Sequence, residues 1–147
     1  MLGAEDEFAI RELYARYNAC VDTGAYDEWA ACFTEDGIFS PAVESGGRAA
    51  IAALGKARYE ARASQPWEQP QHWNANLLFA TESNAREAAA ICYIARMVKM
   101  KASGEVVVNV LGMYRDRLAK VDGRWLFRSR TVSFDTLPPE AIPPRAG

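Results

Sequence analysis

Histidine is nearly absent from this chain: among 147 residues only His72 carries an imidazole. Three-His zinc sites, two-His iron triads and Rieske clusters with two histidines cannot be assembled from it alone. Cysteine is scarce too. Cys20, Cys32 and Cys92 are odd in number, far apart and never spaced as CxxC, so they read as small buried hydrophobes rather than as a disulfide framework or a zinc cage. There is no GxSxG elbow, no GxxxxGKS/T phosphate loop and no GxGxxG turn. No run of about 18 apolar residues exists to span a bilayer, and the start MLGAEDEFAI lacks the basic-then-apolar pattern of a signal peptide, so a cytoplasmic protein is expected. Neither sign of charge dominates. With 17 basic and 19 acidic residues and a net charge of −2, no concentrated basic surface is in prospect, and neither nucleic acid nor membrane is an expected partner. What is left for chemistry is carboxylates, one imidazole, tyrosines and arginines, and no cofactor or metal is called for.

What is present is a globular composition, 50% hydrophobic and 24% charged, at a length that suits one domain. From Glu5 to Asp22, Ile10, Leu13, Tyr14, Tyr17 and Val21 recur at helical spacing, giving a helix with one apolar stripe; Asn18 and Asp22 fall on its edge, in line with Tyr14. Asp22 sits oddly at the end of this helix, against the dipole and just before the stop signal Thr23-Gly24. A second helix is expected from Ala25, turning Trp29, Ala30 and Phe33 inward and closing in the turn Thr34-Glu35-Asp36-Gly37. A short strand over Ile38–Val43 and an Ala-rich helix over Arg48–Ala63 follow. The period then changes. Trp73–Ala80, Ala88–Lys101, Glu105–Val121 and Arg124–Asp135 read as strands in hairpin connection, hence an antiparallel sheet with the helices on one face. Val106, Val108 and Val110 are expected on one face of the third of these strands and Val107, Leu111 and Met113 on the other. Since helices cover only one face, the other is expected to meet a second copy, as a homodimer or homotrimer. The domain is placed at 1–137 and an extended proline-rich tail at 138–147.

Three pieces of the chain, YNACVDTGAYDEWAACFTEDG, QHWNAN and GMYRDRLAKVDGRWLFRSR, resemble the SnoaL-like proteins of the nuclear-transport-factor-2-like superfamily. The resemblance covers nearly the whole chain and implies a fold: a cone-shaped, cystatin-like α+β roll in which three helices close a curved antiparallel sheet around a deep pocket. It also implies a site. In the catalytic members, among them scytalone dehydratase, bile acid 7α-dehydratase and hexachlorocyclohexane dehydrochlorinase, an Asp at the end of the first helix pairs with a His from a strand, and these positions match Asp22 and His72. A tyrosine five residues before the Asp matches Tyr17. Where the dehydratases place a further His or Asp on the next strand, CYIARMVKM offers only Arg96. A second branch, the β subunits of aromatic-ring-hydroxylating dioxygenases, is similar over the same segments. In that branch the partner is a Rieske-type large subunit and the pocket is not known to do the chemistry.

An Asp and a His in one apolar pocket can remove a proton from carbon beside a carbonyl or β to a leaving group. On this reading His72 is the base and Asp22 orients it and stabilises the imidazolium. Tyr17 or Tyr14 donates a hydrogen bond to a substrate oxygen, Arg96 holds an anionic group, and Asn18, Trp29 and Asn76 contact the substrate, a small apolar cyclic or polycyclic molecule. The products of this chemistry are those of a dehydratase, isomerase or lyase. The plainer readings are that Asp22 caps the Thr23-Gly24 turn, that Asn76 is only the hydrogen-bond partner of His72, that Tyr14, Tyr17 and Trp29 are core, or that the pocket binds a ligand without turnover.

Overall fold

In the computed structural model, residues 2–134 are described; the tail expected over 138–147 lies outside them. Helix α1 (Ala4–Thr23) forms where the apolar stripe was expected, burying Ile10, Leu13, Tyr14, Tyr17 and Asn18. Its acidic first turn suits the helix dipole. Asp6 does more: it accepts hydrogen bonds from Lys120 Nζ (2.7 Å) and Trp125 Nε1 (2.9 Å), which hold its carboxyl below the usual range and tie the start of the helix to the final hairpin.

The second helix is shorter than expected. α2 covers only Tyr26–Ala30, because the backbone at Cys32 is claimed by the sheet, its carbonyl accepting from Phe127 N–H at 2.9 Å. Phe33 therefore opens strand β1 (Phe33–Ser40) instead of ending a helix, and the expected Thr34–Gly37 turn is an irregularity inside that strand. Helix α3 (Gly47–Ala61) runs on into a 3-10 turn over Arg62–Ser64. Strands β2 (Trp67–Phe79), β3 (Glu87–Met100), β4 (Val106–Val121) and β5 (Arg124–Ser133) form an antiparallel meander. The sheet order is β1-β5-β4-β3-β2, and β1 joins its edge parallel to β5, so the sheet is mixed at that edge. β2 begins six residues earlier than the alternation suggested, which puts QHWNAN in the middle of the strand.

The helices close one face of the curved sheet into an α+β roll. Its centre is aromatic: Tyr17, Trp29, Phe33, Phe39 and Phe127 meet with ring centroids 5.5–6.2 Å apart, mostly edge to face. Each such pair adds about 0.5–1.5 kcal/mol beyond the area it buries.

Two bulges correct expectations based on strict alternation. Between β3 and β4 the register steps from Arg96 opposite Val110 to Met97 opposite Val108, leaving Asn109 as an extra residue. Val106 and Val108 consequently face outward, 70% and 52% exposed, while Val110 faces into the roll. In β2 the register steps between Ala75 and Leu78, with Asn76 at φ 55°. Leu77 and Phe79 take the core-facing positions beyond the step, and Asn76 is turned out to solvent. A bulge moves every later side chain to the opposite face, which a period-two count cannot register.

Candidate active site

Beneath the helices the roll encloses a cavity of about 500 Å³. Tyr17, Trp29, Ile94 and Tyr114 form its buried floor, while Pro41, Arg58, Tyr59 and Gln65 lie toward its mouth. This volume is that of a site for a small organic ligand.

Asp22 and His72 meet at its wall, and their geometry is specific. Asp22 Oδ1 lies 2.5 Å from His72 Nδ1, and Asp22 Oδ2 accepts the main-chain N–H of the same residue at 3.0 Å. Both contacts are largely shielded from solvent, the His72 and Asp22 side chains being 13% and 19% exposed. One carboxylate thus grips the imidazole and the backbone that carries it. A carboxylate only accepts, so the proton between them belongs to Nδ1, and in the neutral imidazole it is Nε2 that holds the lone pair.

The odd position of Asp22 at a helix end is resolved by a residue that the sequence reading did not pick out. Arg62 donates from NH1 to the Asp22 carbonyl (2.8 Å) and from NH2 to the Val21 carbonyl, so its guanidinium satisfies the unpaired acceptors of the α1 terminus and supplies the charge that the dipole lacks. Its signal was present in ARYEARAS, where Arg58 and Arg62 are spaced to share one helix face. Gly24 completes this corner. It sits at φ 80° and donates to the Cys20 carbonyl at 3.1 Å; a Cβ there would stand 2.1 Å from the Tyr59 ring. Gly24→Ala is expected to cost about 1–2 kcal/mol in urea denaturation, from the left-handed backbone and the displaced ring together.

The other expected site residues divide between the cavity and the core. Tyr17, Trp29 and Arg96 line the cavity with His72; His72 and Arg96 are direct cross-strand partners and so lie side by side on the concave face. Asn18 does not reach the lining. It donates from Nδ2 to Asn74 Oδ1 at 2.6 Å, and Asn74 in turn donates to the Tyr93 carbonyl; the hydrogen bonds of His72 go to Asp22 and not to Asn76. Asn76 lies outside the cavity altogether. Tyr14 is drawn into a buried cluster behind the floor, donating to Asp116 Oδ2.

Two members of that cluster, Asp116 and Arg130, lie in GMYRDRLAKVDGRWLFRSR, one of the three pieces that carry the family resemblance. Asp116 on β4 and Arg130 on β5 are paired in register and joined by two hydrogen bonds, Nε to Oδ1 at 2.8 Å and NH2 to Oδ2 at 2.7 Å, both side chains being fully buried. The Arg130 guanidinium lies 3.9–4.7 Å from the ring centroids of Tyr114, Phe127, Tyr17 and Tyr14. Burial opposes its charge, but the charge and hydrogen bonds of Asp116, with Tyr17 and Tyr14 beside it, together more than offset that and hold the guanidinium well above its ordinary value. In front of it, burial pushes the hydroxyls of Tyr17 and Tyr114 up, so both stay protonated and able to donate at neutral pH.

Among the described residues no group of three or more His, Cys, Asp or Glu side chains is placed to hold a metal ion, and no helix is long and apolar enough to cross a membrane. The three cysteines are free. Burial pushes the thiols of Cys32 and Cys92 up to about 12, whereas Cys20, raised less, lies at the cavity edge. Iodoacetamide at about pH 8 is therefore expected to label Cys20 first, leaving the other two unreacted until the protein is denatured, as read by peptide mass mapping.

A helix-capped α+β roll with an Asp–His pair in its cavity wall defines a class of small-molecule pocket proteins. Residues 3–131 match the SnoaL-like domain, and the chain belongs to that family. It is similar in structure to Aln2 from a Streptomyces species, at 27% identity and a TM-score of 0.77 over 91% of this chain and 94% of that one. It is also similar to Rv3472, a protein of unknown function from Mycobacterium tuberculosis, at 28% identity and a TM-score of 0.75 over 92% and 79% of the two chains. A Novosphingobium aromaticivorans protein provisionally called a scytalone dehydratase shares the fold at 24% identity and a TM-score of 0.69, over 96% and 95%. No curated protein matches the chain.

Proposed function

We propose that this protein is a cofactor-free lyase or isomerase that takes a proton from carbon in an apolar cyclic or polycyclic substrate. The observation that carries this reading is the double grip of Asp22 on His72, through Nδ1 and through the main-chain N–H. A carboxylate used only to cap the Thr23-Gly24 turn has no need of that arrangement. Nε2 of His72 is the base, and Asp22 stabilises the imidazolium as it forms. Tyr17 and Tyr114, protonated at the floor, donate to the oxygen on which negative charge develops. With the proton removed, a leaving group on the β carbon departs to give an alkene, or the proton returns at another carbon to give an isomer.

The test needs no knowledge of the natural substrate. Exchange of the acidic α-protons of small cyclic ketones such as α-tetralone is followed by NMR in deuterated water. Wild-type protein is expected to accelerate it above buffer and above an equal concentration of His72→Ala; indistinguishable rates for the two proteins remove the proposal.

The outer sheet face supports self-association. Trp73, Tyr93 and Leu111 are neighbours across β2, β3 and β4 and are 61%, 50% and 69% exposed. We assign this face to a second copy of the chain, and light scattering is expected to give at least twice the monomer mass. The same face would serve a non-catalytic subunit that docks on a Rieske-type large chain, and that reading predicts no proton exchange at all.

A further inference from the structure

Three arginines converge on the cavity, and the one carboxylate near them, Asp22, stands behind the lining with both oxygens engaged by His72; its field reaches Arg62 and Arg96, but one acid does not balance three guanidinium groups. Arg58 and Arg62 stand one turn apart at the end of α3 and in the 3-10 turn that follows it. Arg96 faces the same space from β3, beside His72. The positive fields of Arg62 and Arg58 reach Arg96 and, after its burial, are the next largest influences pushing its guanidinium below the ordinary value.

Neutral groups, rather than acids, position all three. Arg96 Nε donates to Asn109 Oδ1 at 3.0 Å, and its guanidinium lies 4.8 Å from the centre of the Trp67 ring. Arg62 holds the Val21 and Asp22 carbonyls and stands 5.4 Å from the Tyr59 ring. Arg58 lies 5.3 Å from the Phe39 ring. Among the described residues no ion pair involves any of them. Gathering like charges in a partly closed, largely apolar cavity is unfavourable unless a counter-charge arrives, and a guanidinium stacked on a ring keeps its N–H edge available to a planar oxyanion.

We propose that the cavity selects molecules carrying a carboxylate on an aromatic or polycyclic frame, with the anion bound by Arg58, Arg62 and Arg96 and the rings lying on Trp29, Ile94 and Val110. Naming that molecule the substrate rests on the reading of His72 as a base; the anion site does not. Anchored beside His72 by a group that takes no part in the reaction, the ring carbons are carried to the imidazole in a fixed orientation, which is where remote binding energy contributes to rate.

The experiment compares 2-naphthoate with its uncharged counterpart 2-naphthamide, binding to the full chain, by calorimetry. The carboxylate is expected to bind about 10- to 100-fold more tightly, as charge-assisted hydrogen bonds allow, and the gap should narrow as salt is raised. In Arg96→Gln and Arg58→Gln it is expected to shrink, and in the double variant to fall to within a few-fold of unity. Arg62 is left intact because it caps α1, and thermal melts check that the variants are folded. Equal affinity of the wild type for the two probes, or a preference that survives in the double variant, overturns the proposal. Because the readout is equilibrium binding, an inert Asp22–His72 pair with the charge preference intact defeats the enzymatic reading alone. Active proton exchange without the preference defeats only this one.

Discussion

Asp116→Ala is expected to destabilise the protein by about 3–5 kcal/mol, measured by urea denaturation. The size follows from what the substitution leaves behind. Arg130 is fully buried and keeps its charge because the Asp116 carboxylate lies against two of its nitrogens. With that carboxylate gone, a guanidinium is stranded among aromatic rings, whose attraction for a cation offsets only part of the lost hydration. Tyr14 loses its acceptor at the same time. The pair is costly to break and much cheaper to remove: the double substitution Asp116→Leu, Arg130→Met replaces both charges by apolar groups of comparable reach and is expected to be less destabilised than Asp116→Ala. A double variant at least as unstable as the single one would show that the ion pair contributes in a way this comparison does not capture.

The second large effect concerns rate. His72→Ala is expected to lower catalysed proton exchange by about 10²–10⁴-fold, the usual contribution of a positioned general base. Asp22→Asn should come close to it while leaving the base itself in place. An asparagine oxygen can still accept the His72 main-chain N–H, but its NH₂ then faces Nδ1, which must become an acceptor. The proton moves to Nε2, and the lone pair that should meet the substrate is lost. Helix α1 is not weakened by the change, because Arg62 binds the backbone carbonyls of Val21 and Asp22 and not the carboxylate. Circular dichroism melts of Asp22→Asn are therefore expected to match wild type within a degree or two, separating lost chemistry from lost structure.

Much of this arrangement could be read from the chain, and the failures share one cause. The α1 stripe, the Gly24 stop and the hairpin strands follow from local pattern, and the α+β roll follows from their order. Asp22 and His72 were singled out by resemblance to a family motif, since no local rule states that residues 50 apart share a wall. Asn76 was misplaced because counting by twos from His72 passes an unmarked bulge, and Val110 was misplaced for the same reason. Phe33 was given to a helix because its backbone is claimed by β5, nearly a hundred residues away. Asp116 is the instructive case. It lies two residues from Tyr114 and two from Leu118, on the apolar register of β4, so a buried acid in want of a cation could have been inferred there. Arg130 as its partner required the β4–β5 register.

The extra residue in β4 has a consequence for how such a pocket can change. Asn109 both steadies Arg96 and determines that Val110, not its neighbour, faces the cavity. Losing that one residue would exchange inside for outside along the strand's first third while the Asp22–His72 grip, built on other elements, stayed where it is. Length variation at this point is thus a route to new substrate preference that a scan of single substitutions would never sample.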